Sequence, residues 1–223
     1  MLNFWFILAL FFMGVNWLAI WFNWKIANYI SKPAIILALL GWYFTKAGAS
    51  YSALWFGIGL VFALAGDTLL LLPGRSFLLG VTAFMLTHAA YIIGFNQAPP
   101  VMSPKVIVLM LVCFSLWLIL YTNLRKGALT NSDFLKMEIP LIIYNLVIVL
   151  MVISALATNF RPEWPPAASA LVSCGALLFL FSDVLLAVDR FIQPLPTARL
   201  WKRVTYQLGQ LAIIAGVLLT FSA

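Results

Sequence analysis

The sequence predicts an all-α integral membrane protein whose eight transmembrane helices form a single transmembrane domain over residues 1–223. Two features of the composition predict this class. Hydrophobic residues make up 65% of the 223 residues and charged residues only 9%, against roughly 25% charged residues in an ordinary soluble domain. The third observation is length, because a spanning helix needs ~20 apolar residues and short connections leave room for about eight such helices. No length is left for a soluble domain.

Hydropathy and helix-breaking residues divide the chain into eight apolar segments. The first segment has neither a positively charged leader nor a small-residue cleavage site, so we interpret it as a retained helix. Lys32-Pro33 is predicted to open the second helix, and Pro140 is predicted to lie in the first turn of the sixth, where its missing N–H is harmless. The predicted spans are residues 2–23, 31–46, 52–72, 76–95, 104–123, 138–158, 166–188 and 198–221.

Cationic residues are divided unequally between the two predicted membrane faces. The loops after the first, third, fifth and seventh helices carry ten Lys and Arg residues, and the opposite face carries three. Cytoplasmic loops are enriched in Lys and Arg, so both termini are predicted to be extracytoplasmic. We expect a multi-pass protein of a bacterial cell membrane. Its net charge of +7 is interpreted as a reflection of topology and anionic membrane lipid, with no nucleic-acid partner.

Two aspartates inside apolar helices are the first candidates for a site. Asp67 follows Gly66 in the third helix, and Asp183 follows Ser182 in the seventh. Each lies about five residues before the cytoplasmic end of its helix, so both carboxyls are predicted roughly 7 Å inside the apolar layer. The similar sequence after each aspartate suggests two parallel four-helix halves. Since a carboxylate in hydrocarbon costs at least ~2.5 kcal/mol, such acids indicate a functional site.

The aspartate pair has a structural and a functional interpretation. Structurally, each acid is a buried packing residue, neutralised by a proton or by an interfacial arginine. Functionally, burial and a neighbouring carboxylate both disfavour ionisation, so one acid keeps a proton while the other is charged. Two such carboxyls can divide general-acid work from base or electrostatic work. We favour Asp183 as the acid, because Phe179 and Leu180 make its surroundings drier than those of Asp67.

His88 is the single histidine of the sequence and has three interpretations. It forms an interhelical hydrogen bond, it catalyses or orients the substrate together with Tyr91 on the same helix face, or it binds a metal. Zinc needs three or four converging ligands, and helix rise places His88 on the order of 10 Å deeper than the aspartates. We therefore expect no metal and no cofactor.

Other polar residues extend the candidate site. Those on the sixth and eighth helices are predicted roughly 9 to 14 Å from the cytoplasmic boundary, where they form a polar layer with the aspartates. Three cations near the boundary are either topology charges that snorkel to the interface or a clamp for a phosphate head group. The polar residues are Tyr144, Asn145, Tyr206 and Gln207, and the cations are Lys32, Arg75 and Arg190.

An ordered set of short motifs resembles the YhhN-like lysoplasmalogenase family. The motifs run in family order over about residues 30 to 190 and comprise Lys32-Pro33, Leu64-Ala65-Gly66-Asp67 with Leu70 to Pro73, Phe84-Met85-Leu86-Thr87-His88-Ala89-Ala90-Tyr91, Arg161-Pro162, and Gly175-Ala176-Leu177-Leu178-Phe179 before Ser182-Asp183. The resemblance implies an eight-helix membrane hydrolase that cleaves the vinyl ether bond of lysoplasmalogens. Its products would be a fatty aldehyde and glycerophosphoethanolamine or glycerophosphocholine. The positions matching family motifs are Lys32, Gly66, Asp67, His88, Tyr91, Ser182 and Asp183.

The chemistry of a vinyl ether suits two intramembrane acids. Protonation at carbon gives an oxocarbenium ion that water captures, so the site must offer first a proton and then a negative charge. A lysophospholipid with its phosphate on the interfacial cations would place the reacting bond near the aspartates. A proton-coupled lipid or small-molecule transporter is the alternative, because parallel repeats with matching acids also describe carriers. A receptor or scaffold without turnover is a third possibility.

Overall fold

The computed structural model describes residues 3–47, 51–72, 76–98 and 103–221. Within these ranges the chain forms eight long α-helices and no β-strand, which confirms the predicted all-α class. The helices are α1 (Phe4–Trp21), α2 (Lys25–Ala47), α3 (Tyr51–Leu69), α4 (Ser76–Phe95), α5 (Pro104–Ala128), α6 (Ser132–Ala157), α7 (Pro166–Ala187) and α8 (Ala198–Thr220).

Five helical segments of the described chain are long and apolar enough to cross a membrane. They are Phe4–Trp21, Phe77–Phe95, Pro104–Ala128, Ser132–Phe160 and Pro166–Ile192. The apolar segment of α3, Leu54–Leu69, is shorter than these five segments. Both α2 and α8 carry several cations. The protein is therefore of the polytopic membrane type, while spanning by α2, α3 and α8 stays a prediction.

Helices that follow each other in the chain form the most extensive contacts. α1 packs on α2, α3 on α4, and α7 on α8, while α6 packs on α4 and α7, and α8 also reaches α1 and α2. Large side chains such as Trp42, Tyr91 and Phe179 are almost completely buried between them. The core therefore runs through the middle of the bundle, and α5, which packs mainly on α6, lies at its edge.

The α7–α8 pair approaches to backbone contact. A Cβ atom built on Gly175 would lie 2.6 Å from the carbonyl oxygen of Gly209, and one on Gly209 would lie 2.8 Å from the carbonyl oxygen of Gly175. Small residues permit such close approach in membrane helices. The contact fixes α8 beside the helix that carries Asp183.

Both proline predictions were wrong. α2 begins at Lys25 and α6 at Ser132, so Pro33 and Pro140 lie inside their helices. A membrane helix tolerates proline where neighbouring groups satisfy the freed carbonyl. The early start of α2 follows from a tight turn at Asn23, whose left-handed φ of 56° suits an asparagine that ends a helix. As a consequence, Lys32 lies two turns inside α2.

The remaining predicted boundaries agree closely with the structure at the starts of α4, α5, α7 and α8. Two ends extend beyond the prediction. α5 continues to Ala128, and α7 continues as a π-helical turn, Val188–Ile192. At the far end of the bundle, Arg161 donates hydrogen bonds to the Phe95 carbonyl at 2.6 Å and to Asn96 at 2.7 Å, so it anchors the end of α4.

Candidate active site

A cavity of about 270 Å³ lies at the end of the bundle where α3 and α7 finish. The same end holds the starts of α4 and α8, because neighbouring helices run in opposite directions. The wall combines aromatic and aliphatic side chains with a ring of charged and hydroxyl groups. Its residues are Lys32, Asp67, Leu70, Phe77, Val81, Phe84, Leu141, Tyr144, Asn145, Phe179, Ser182, Asp183, Leu186, Ala187, Arg190, Phe191, Arg199, Lys202, Arg203 and Tyr206.

Asp67 is buried and tied to its neighbours. Its Oδ1 lies 3.0 Å from the Nζ of Lys32, which also donates a hydrogen bond of 2.9 Å to the backbone carbonyl of Asp67. The Tyr206 hydroxyl donates to Oδ2 at 2.9 Å, and the guanidinium of Arg203 is within electrostatic reach. Charge-assisted bonds of this kind fix the orientation of the Asp67 side chain. Lys32 is only 3% exposed, so each charge compensates the other.

Asp183 has a different environment. The Tyr144 hydroxyl donates a short hydrogen bond to its Oδ2, and within the described part of the chain Tyr144 is its only hydrogen-bonding partner. No Lys or Arg of the described residues lies within ion-pair distance of this carboxyl. Asp183 is also only partly buried, whereas Asp67 is 2% exposed. The two acids therefore face one cavity, one with a cation beside it and the other without.

His88 contacts the tyrosine that bonds to Asp183. Its Nε2 lies 3.3 Å from the Tyr144 oxygen, and its ring packs edge-on against Phe179. Because the phenol proton points towards Asp183, Nε2 is the nitrogen that donates to the phenol oxygen, which assigns the Nε2–H tautomer. The Nδ1 atom is buried without a partner among the described residues. The chain His88–Tyr144–Asp183 thus fixes the direction of the carboxyl.

Five cations line the cavity together with the two acids. Arg190 places its guanidinium carbon 3.6 Å from the centre of the Phe77 ring, and Lys202 pairs with Asp189 at 2.5 Å. Arg203 makes no hydrogen bond to any described residue, so its donors are available to a ligand. The full set is Lys32, Arg190, Arg199, Lys202 and Arg203. Guanidinium and ammonium groups at this density suit a phosphate.

The structure brings most of the predicted site residues to this one cavity. Asn145 donates to the Leu141 carbonyl at 2.7 Å, and the Ser182 hydroxyl donates to the Lys202 carbonyl at 2.9 Å. Both side chains therefore bond to backbone carbonyls of residues that line the cavity. Arg75 lies outside the described residues. The predicted residues that line the cavity are Lys32, Asp67, Tyr144, Asn145, Ser182, Asp183, Arg190 and Tyr206.

Three predicted residues lie away from the cavity surface: His88, Tyr91 and Gln207. Tyr91 donates to the Gln210 side chain at 2.7 Å in the middle of the bundle. Gln207 donates to Asn16 on α1 at 2.9 Å. Successive helical residues point about 100° apart, so Gln207 faces α1 while the tyrosine before it faces Asp67. Neither side chain touches the space that a substrate in the cavity would occupy.

Sequence reasoning missed the contribution of α8 to the basic wall. Arg199 and Arg203 line the cavity beside Tyr206, but they were interpreted only as topology charges. Their positions, seven and three residues before Tyr206, are those of one helix face. That spacing is the signal that could have identified them. Within the described residues, no three His, Cys, Asp or Glu side chains converge as a metal site would need.

The fold and the cavity define a polytopic membrane protein with two acids and a basic wall around a cavity of about 270 Å³. The family profile of the YhhN family matches residues 27–217, and the chain belongs to that family, which confirms the resemblance found in the sequence. It is similar to lysoplasmalogenase TMEM86B of Homo sapiens, with 30% identity over 196 residues that cover 88% of this chain and 76% of the relative.

Two further relatives carry the same description. Lysoplasmalogenase TMEM86B of Mus musculus is 29% identical over 197 residues, covering 88% of this chain and 76% of the relative. Lysoplasmalogenase TMEM86A of Bos taurus is 29% identical over 163 residues, covering 70% of this chain and 62% of the relative. No solved structure matches the chain.

Proposed function

We propose that the protein is a membrane-embedded lysoplasmalogenase, which hydrolyses the vinyl ether bond of a lysoplasmalogen. One water is consumed, and the products are a fatty aldehyde and glycerophosphoethanolamine or glycerophosphocholine. The observation that carries the proposal is the unequal pair of aspartates in one cavity: Asp67 is ion-paired with Lys32, and among the described residues Asp183 has only a phenol partner. The names of the relatives support the same reaction.

Asp183 is the proton donor in this mechanism. An isolated carboxylate is costly in apolar surroundings, so a carboxyl without a cation is cheaper in its neutral form. Tyr144 occupies Oδ2, which leaves Oδ1 to carry the proton. Transfer of that proton to the alkene carbon breaks the double bond and produces an oxocarbenium ion at the carbon bound to oxygen. His88 acts as a positioning residue, since it directs the phenol that directs the acid.

Asp67 supplies the negative charge that the second half of the reaction needs. A carboxylate near an oxocarbenium ion stabilises it and orients the attacking water. Water adds to the cation, its extra proton returns to the carboxyl pair, and the resulting hemiacetal collapses to aldehyde and alcohol. While the cavity is empty of substrate, Lys32 neutralises Asp67.

The basic wall and the apolar wall place the lipid. The phosphate lies against the guanidinium groups of Arg199 and Arg203 at the start of α8, with Arg190 as a further cation of the same wall. The alkenyl chain then lies along the apolar side of the cavity, where Phe77, Val81 and Phe84 of α4 contribute. In this pose the vinyl ether, close to the glycerol, reaches the depth of the aspartates.

The membrane topology is part of the proposal. We infer that all eight helices cross the membrane of a bacterial cell, with both termini extracytoplasmic and the cavity near the cytoplasmic face. The cations around the cavity support this orientation, because Lys and Arg are enriched on the cytoplasmic side. The halves α1–α4 and α5–α8 would be parallel repeats, in agreement with the matching contacts α2–α3, α3–α4 and α6–α7, α7–α8.

The test is a turnover assay in detergent. Purified protein incubated with a lysoplasmalogen is expected to release free aldehyde, measured by reduction with an added alcohol dehydrogenase and NADH. A hydrolase needs no second compartment, whereas a carrier does nothing without a sealed membrane. Absence of aldehyde in detergent, together with lipid movement across vesicles that contain the protein, would overturn the proposal in favour of a transporter.

A further inference from the structure

A second cavity of about 350 Å³ lies beside the first, at the start of α8. Ile20, Trp21 and Asn23 at the end of α1 line one side, and Asp189 and Thr197 line the other. Arg199 lines both cavities. The second cavity therefore adjoins the site proposed for the phosphate, with Arg199 in the wall of both.

One ion pair separates the two cavities. Lys202 lines the first cavity and Asp189 lines the second, and their Nζ and Oδ2 atoms are 2.5 Å apart. Both cavities are lined by the π-helical turn Val188–Ile192, in which the consecutive residues Asp189 and Arg190 line the second and the first cavity respectively. π-helical turns inside α-helices occur frequently at functional sites.

We propose that the second cavity is a head-group subsite, in which Asp189 binds the ammonium group of an amine-bearing phospholipid. This inference rests on the proposed function for the position of the reacting bond. Asp189 is the only acid among the described residues that line this cavity. Its Oδ1 accepts a hydrogen bond from the backbone N–H of Leu195 at 2.9 Å, and its Oδ2 is paired with the ammonium group of Lys202, which the ammonium group of the ligand would replace.

The geometry fits a zwitterionic head. In phosphoethanolamine and phosphocholine, two carbon atoms separate the phosphate oxygen from the nitrogen, so both charges bind to neighbouring groups. Arg199, which faces both cavities and lies within electrostatic reach of Asp189, suits the phosphate. Asp189 suits the nitrogen. The indole of Trp21 in the same wall can also bind a methylated ammonium through cation–π attraction.

The experiment compares two head groups on the same alkenyl chain. One substrate carries phosphoethanolamine, and the other carries phosphoglycerol, which has the phosphate but no amine. Asp189→Asn is expected to lower kcat/KM for the amine-bearing substrate about fivefold through KM, the upper range for a partly exposed ion pair. The phosphoglycerol substrate is expected to keep its kcat/KM, so the ratio between the two substrates falls.

Lys202→Met is the matched variant. It breaks the same ion pair as Asp189→Asn but leaves the carboxylate in place, so the preference for the amine is expected to persist or increase. If the ion pair is purely structural, both variants are expected to lower kcat/KM equally for the two substrates. That result would overturn the subsite. Equal kcat/KM for the two head groups in the unaltered protein would overturn it as well.

A binding arm separates failure of the subsite from failure of the hydrolase proposal. Saturated alkyl-ether lysolipids with the same two heads have no vinyl ether to protonate, and their binding to the purified protein is measured by tryptophan fluorescence. Binding that depends on the amine and on Asp189, without aldehyde release from any alkenyl substrate, would overturn the hydrolase and support the subsite. Aldehyde release with equal binding of both heads would overturn the subsite alone.

Discussion

Asp183→Asn tests the assignment of the proton donor. The side-chain oxygen of asparagine can still accept the hydrogen bond from Tyr144, so the α6–α7 contact is kept. The amide cannot give a proton to an alkene carbon. General-acid catalysis contributes roughly 10²- to 10⁴-fold in rate, and kcat is expected to fall by that factor. KM is expected to stay near its original value, because Asp183 makes no ion pair with the described cations that are proposed to bind the phosphate.

The assay is aldehyde release by purified protein at saturating lysoplasmalogen, followed over time to determine kcat. Glu138→Gln is the matched control, because it is also an acid-to-amide change at a carboxyl that accepts a hydrogen bond from a tyrosine: Tyr121, at 3.1 Å. Glu138 does not line the cavity, so its variant is expected to retain full kcat. Full kcat in a folded Asp183→Asn protein would refute the role of this residue as the acid.

Three further perturbations follow from the contacts. Asp67→Asn leaves the buried ammonium of Lys32 without its anion, so the protein is expected to lose about 3 kcal/mol of stability; the double variant with Lys32→Met should recover part of the melting temperature, and no recovery would contradict the ion pair. His88→Phe removes the hydrogen-bond donor to the Tyr144 phenol on α6, and kcat is expected to fall about tenfold at unchanged KM. A rise in KM with unchanged kcat would contradict a positioning role. Gly175→Ala forces a Cβ against backbone at 2.6 Å and is expected to lower the melting temperature, whereas Gly14→Ala, with nothing within 4 Å, is expected to leave it unchanged; equal melting temperatures would contradict backbone contact between α7 and α8.

Most helix boundaries and the proximity of Asp67 and Asp183 could be predicted from the sequence, for a simple physical reason. Helix rise is constant, so counting residues from a helix end predicts depth. Asp67 and Asp183, placed at one depth in that way, do line a common cavity. Depth alone, however, does not say which side chains face each other. Rotation about the helix axis decides that, and the rotation is set by packing between helices.

For three residues, helix rotation and packing decided which neighbours the side chain contacts. Gln207 follows Tyr206 directly in α8 but faces α1, where it donates a hydrogen bond to Asn16. Arg203 was counted as a topology charge, although its helix face is that of Tyr206. Lys32 was predicted at a helix start because Pro33 resembles a helix breaker. The turn at Asn23 instead lets α2 begin at Lys25, seven residues before Lys32.

The pairing of the two acids explains how similar helices can form chemically different carboxyls. Asp67 and Asp183 each lie eight residues after a glycine, Gly59 on α3 and Gly175 on α7, and each meets a residue from the preceding helix. On α2 that residue is Lys32, a cation. On α6 it is Tyr144, a neutral donor. A pair of carboxyls performs acid and base work only when their environments differ, and here one neighbour on each side makes the difference. Lys32→Met should therefore make the two acids more alike. The expected result is that kcat falls by a larger factor than KM changes.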